Sequence, residues 1–109
     1  FIKHCCQYLQ RLGLVKSQHQ FCQQFLNKSQ HYLSMIMCEN RLPSPNTIYN
    51  LVQGLNQVYD CYQSYGYNQT INQKLLQMID KGNGLITKRI LECYRVYQNG
   101  SVNSVSTSD

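Results

Sequence analysis

The residues best able to do chemistry in this chain are six cysteines, Cys5, Cys6, Cys22, Cys38, Cys61 and Cys93, and the bases that would serve them are His4, His19 and His31. A catalytic or redox thiol needs a base or positive charge beside it to hold the thiolate. His4 adjoins Cys5, but consecutive residues of a helix do not face each other. His19 stands one helical turn before Cys22, and His31 lies further upstream of Cys38. Structural zinc would require CxxC or Cys and His at finger spacing, and neither is present. Acid–base catalysis would need paired carboxylates, whereas Glu39, Asp60, Asp80 and Glu92 are scattered. There is no phosphate-gripping glycine loop and no nucleophile elbow. The sequence predicts a protein that is not an enzyme, with no catalytic residue, no metal site and no cofactor.

An even number of cysteines in a chain of 109 residues instead favours a disulfide framework in an oxidising compartment. The connectivity is left open by sequence, but helix geometry narrows it. If the segments around Cys22 and Cys38 fold back on each other at Lys28 to Gln30, their Cα atoms can approach the roughly 4.4–6.8 Å that a bridge requires. The vicinal Cys5 and Cys6 would then pair with Cys61 and Cys93. Each bridge would stabilise the fold by on the order of 3–5 kcal/mol in the chain-entropy model.

Two of these cysteines belong to a motif written twice, Asp60-Cys61-Tyr62-Gln63-Ser64-Tyr65 and Glu92-Cys93-Tyr94-Arg95-Val96-Tyr97. Each copy ends an amphipathic helical run shortly before a glycine, Gly66 or Gly100. Helix C-termini disfavour an anion, so the recurring acid suggests a salt link or hydrogen bond to a tyrosine of the other copy. Tyr62, Tyr65, Tyr94 and Tyr97 read first as core, with hydroxyls reaching the rim, and second as an interface. Too few cations interleave with them for a platform that stacks nucleic-acid bases.

The elements that must position these residues are all helical, since no segment sustains period-two alternation. Residues 1–12 place Ile2, Cys5, Cys6, Leu9 and Leu12 at helical spacing, with Gly13 as C-cap. Ser17 can cap a second helix carrying Phe21, Cys22, Phe25 and Leu26, and Ser29 can start a third that ends near Cys38. Leu42-Pro43-Ser44-Pro45 divides the chain. Ser44 or Asn46 caps a fourth helix with Ile48, Leu51, Val52, Leu55, Val58, Tyr59 and Tyr62 inward, ending at Gly66. Gly54 within it suggests close packing. A run from Thr70 to Lys81 closes at Gly82-Asn83-Gly84, and a last helix spans Leu85 to Gln98. The prediction is a compact, disulfide-stapled all-α bundle of five to six short helices, with an imperfect tandem repeat as one option. Residues 1–100 form one domain and 101–109 a flexible polar tail.

The net charge is +5, with ten Lys and Arg against five Asp and Glu, but only Lys88-Arg89 are adjacent among the cations. No basic stripe for nucleic acid is visible. No run approaches the roughly 20 apolar residues of a membrane span. Fourteen Gln, ten Asn and nine Tyr make the surface one of amides and phenols instead of charges. Three glycosylation acceptors, Asn27, Asn68 and Asn99, fit passage through a secretory route. A chain opening at Phe1 reads as a mature protein whose signal peptide has been removed.

The paired motifs Cys61-Tyr62 and Cys93-Tyr94, ending helices in a chain rich in Asn, Gln, Tyr and Lys, resemble those of the aphid bicycle proteins. That family is named for two Cys-Tyr-Cys motifs; here Gln63 and Arg95 stand at the third position of each. The resemblance implies secretion from salivary glands and action on host proteins, including plant-host manipulation and gall formation. Two rival roles stand beside it. An extracellular carrier of a small apolar ligand would show an enclosed apolar pocket, and a helical-bundle signalling ligand would have a receptor on the producer's own cells. Cysteine separations of one, sixteen, sixteen, twenty-three and thirty-two fit neither the odorant-binding nor the saposin-like pattern.

Overall fold

Short apolar stripes, each closed by a specific stop, divide the chain into five helices. The computed structural model describes residues 1–66 and 69–99, all but the Asn99 side chain included. The helices are α1 (Ile2–Arg11), α2 (Gln18–Gln24), α3 (Tyr32–Cys38), α4 (Pro45–Ser64) and α5 (Gln69–Asn99), with no strand among the described residues. The predicted sites Asn68 and the 101–109 tail lie outside the described residues, as does the Asn99 side chain.

In α1 the buried residues Ile2, Cys5, Cys6 and Leu9 follow a three-then-four spacing, so one face of the helix enters the core. The helix stops as predicted. Gly13 adopts φ +81°, its N–H donates to the Gln10 carbonyl and the Leu14 N–H to the Leu9 carbonyl, both at 3.0 Å, which satisfies carbonyls the helix would otherwise leave open. Asn40, at φ +55°, does the same for α3, where the Arg41 N–H reaches the Ile36 carbonyl at 2.9 Å. Ser17 and Ser44 cap α2 and α4 by accepting from the Gln20 and Thr47 N–H groups at 3.1 and 3.2 Å, and Pro45 follows Ser44 where its missing N–H costs nothing.

The second half of the chain differs from expectation. Gly82-Asn83-Gly84 does not break it: α5 runs unbroken for 31 residues, about 46 Å. Gly82 is an approach point for other elements, since a Cβ there would stand 2.5 Å from Val52 Cγ2 and 3.2 Å from Phe1 Cζ. Gly54 serves α4 in the same way against the Phe25 ring. The absence of a side chain lets α5 lie close on α4 and α1, and the packing holds glycine in helical geometry against its propensity.

α4 and α5 form an antiparallel hairpin. Asn72 Nδ2 donates to Gln63 Oε1 at 2.8 Å near the turn, Gly82 faces Val52 at mid-height, and an Arg89 guanidinium N–H donates to the Pro43 carbonyl at 2.5 Å at the far end. Because α4 has 20 residues and α5 has 31, the last turns of α5 extend about 16 Å past the start of α4. The small helices α1, α2 and α3 pack over the proximal part, burying Phe21, Leu26, Leu33 and Ile36 with Leu51, Leu55 and Leu75. The resulting body measures 53 × 29 × 17 Å.

Candidate functional site

All six cysteines are free thiols. The predicted staple is absent, and the hairpin register explains part of it. Cys61 lies one turn from the end of α4, beside the start of α5, whereas Cys93 sits near the opposite end of α5, about 30 Å away. Two neighbouring residues of α1 cannot reach both, since consecutive Cα atoms are only about 3.8 Å apart and a bridge tolerates less than about 7 Å. Nor do Cys22 and Cys38 pair, for Cys22 is buried in the core and Cys38 is exposed at the end of α3.

Cys5, Cys6 and Cys22 instead act as small core hydrophobes. Burial pushes the Cys5 thiol up to about 12 from 9.0. The Cys6 thiol is raised by burial too, and further by the neighbouring Cys22 thiol. Thiols so raised stay protonated at neutral pH and are poor nucleophiles. His19, the base nearest to a cysteine in helical spacing, packs edge-on against the His31 ring with centroids 5.2 Å apart. Among the described residues no three His, Cys, Asp or Glu side chains gather as a metal cluster, and no helix is long and apolar enough to cross a membrane.

The two Cys-Tyr motifs are held at opposite ends of the hairpin, so the predicted link between them is not formed. The ion pair found among the described residues is Arg41 with Glu39, 3.2 Å apart, and involves neither Asp60 nor Glu92. In the first copy Tyr62 is half-buried against the core, while Tyr65 is 78% exposed. Cys61, Tyr62 and Tyr65 line a shallow apolar depression of about 250 Å³ with Leu14 and Val58. In the second copy Tyr94 and Tyr97 are 55% and 56% exposed, which corrects their reading as core. The Tyr94 hydroxyl accepts from Gln98 Nε2 at 2.7 Å.

Helical spacing shows why the second copy is notable. Leu75, Ile79, Gly82 and Ile86 form the stripe by which α5 packs on the bundle, and Ile90, Cys93 and Tyr97 continue that stripe where the bundle has ended. Tyr94 lies beside it, and Leu91 and Val96 are exposed large apolar side chains on other faces of the same turns. Periodicity places Tyr94 and Tyr97 on an apolar stripe, read first as core and second as an interface, but does not show where the bundle that would bury it ends.

Two clefts flank α1. One, of about 490 Å³ and mixed polarity, lies between α1 and α5 and includes His4, Arg11, Lys74 and Lys81. The other, of about 560 Å³ and mostly apolar, runs between α1, α3, the Leu42-Pro43 loop and α5. Both are open on one side, unlike the enclosed pocket anticipated for a small-ligand carrier. Of the predicted acceptors, Asn27 is exposed on the α2–α3 turn with φ +57°.

A model of a family of unknown function, DUF6626, matches residues 2–95. The chain belongs to this family. The family match spans α1 to α4, both Cys-Tyr dipeptides and most of α5. No curated protein and no solved structure matches significantly.

Proposed function

We propose that this chain is a secreted, non-enzymatic effector that binds host proteins, and that the overhanging end of α5 is the binding element. One observation carries the binding reading: the core stripe of α5 continues past the bundle as Ile90, Cys93 and Tyr97, with Tyr94 beside it, all exposed. Leaving several large apolar side chains of one helix in water forfeits burial worth roughly 1.5–3 kcal/mol for each, which a partner can recover. Tyrosine is also among the residues that most often anchor interfaces. Resemblance to the bicycle proteins supports the effector role and the host setting. The raised thiols and the scattered carboxylates support a protein that works by binding.

The test begins with the purified chain alone, by light scattering across concentration. A monomer leaves the stripe for a different protein, whereas a dimer that dissociates on Ile90→Asp gives it to a second copy and ends the host-protein reading. A photo-crosslinker at position 90 then identifies the host partner, and the complex is rebuilt from pure components. Ile90→Asp or Tyr94→Ala should weaken it by about 2 kcal/mol with unchanged thermal unfolding. Equal affinity in both variants would refute the assignment.

A further inference from the structure

The open apolar cleft on the opposite face of α5 has a composition of its own. Its floor is Leu33, Ile36 and Ile48, all buried core residues, with Leu85 on one wall and Leu42 and Pro43 at the mouth. Leu42 is 76% exposed there, the most exposed large aliphatic side chain among the described residues. Lys3, Lys81, Lys88 and Arg89 stand around this apolar trough against one acid, Glu92. Four of the chain's ten Lys and Arg thus meet at one groove, Lys3 from α1 and the other three from α5. Helical spacing accounts for the α5 share, since Lys81, Leu85, Lys88 and Glu92 lie on one face and Arg89 beside them.

We propose that this groove binds a free single-chain amphiphile with an anionic head, of the long-chain carboxylate class. The apolar floor takes the chain and the lysines take the head. Charge complementarity decides the sign of the head, because the lining carries four cations to one carboxylate. Size favours a small molecule: about 560 Å³ falls within the roughly 300–1,000 Å³ of ligand sites, while a stable protein interface needs about 800 Å² from each partner. The Arg89 bond to the Pro43 carbonyl ties the loop to α5 beside the trough, and Arg89 retains further N–H donors for the head group. The site is separate from the protein-binding face. Ile90 and Tyr94 project from the side of α5 away from Lys81, Lys88 and Glu92, so either assignment can fail without the other.

The test is calorimetric titration of the full chain with hexadecanoate below its aggregation concentration, compared with hexadecanol, hexanoate and neutral or anionic phospholipid vesicles. Saturable one-to-one binding of hexadecanoate is expected, weakened on the order of tenfold or more for hexadecanol and for hexanoate. Lys81→Glu with Lys88→Glu, at exposed positions, should weaken hexadecanoate by a similar factor, and Leu42→Gln should weaken it without changing the thermal midpoint. Ile90→Asp should leave it unchanged. Equal binding of the alcohol and the carboxylate, insensitivity to the paired charge reversal, binding to anionic vesicles alone, or no binding at all would each overturn the proposal.

Discussion

At the scale of single residues, the cysteines show how far identity and environment diverge. Cys5 and Cys38 are the same side chain, yet one is buried in the hydrophobic core and the other faces water. The folded Cys5 thiol titrates near 12 and its unfolded counterpart near 9.0, so between those values the folded state holds the extra proton. Stability is therefore intact below pH 9 and falls as pH rises toward 12, with this thiol contributing up to about 1.4 kcal/mol per pH unit. Chemical denaturation across pH 8–11 should show that fall, and Cys5→Ala should make it shallower; an equal slope in the variant would contradict the buried thiol. The same neighbourhood revises the expected bridge. If an oxidising compartment does form a disulfide, the pair the core brings together is Cys6 with Cys22, and a non-reducing peptide map should find that pair before any involving Cys61 or Cys93.

At the scale of elements, α5 is where local and tertiary preferences compete. Gly82 and Gly84 have the same intrinsic cost in a helix interior, roughly 1 kcal/mol relative to Ala. Their surroundings differ completely. A Cβ at Gly84 meets nothing within 4 Å, while one at Gly82 collides with Val52 and crowds Phe1. Gly84→Ala should raise stability by about 0.5–1 kcal/mol, whereas Gly82→Ala should lower it by about 1–3 kcal/mol as overpacking exceeds the gain in propensity. Thermal melts of the two variants decide this, and stabilisation by both would mean that α5 is not seated on α4 there. The distal turns belong to the same helix but not to the same packing environment. Amide hydrogen exchange should protect Leu75 to Gly82 strongly and Leu91 to Gln98 weakly, and the bound host partner should raise protection in the second stretch alone.

At the scale of the whole molecule, unequal helix lengths produce the shape and with it the two candidate surfaces. The radius of gyration is 16.8 Å, against about 13 Å for a compact domain of this length. Solution scattering should return a value several ångströms above the compact one. A value near 13 Å would mean that the chain folds back at Gly82-Asn83-Gly84, which would remove the overhang and the binding face together. Composition and periodicity alone determined the helical class, the cap at Ser17, a cap at Ser44 or Asn46, the stops at Gly13 and Gly66, and the apolar stripes, because each depends on residues within one or two turns of each other. Tertiary structure alone decided that Gly82 continues a helix, that the distal end of its stripe is exposed, that Cys61 and Cys93 stand far from each other and that Lys3 joins the cations of α5 at one groove. Each of these depends on what another element places beside the residue, and a glycine signals an open turn or a close approach with the same letter.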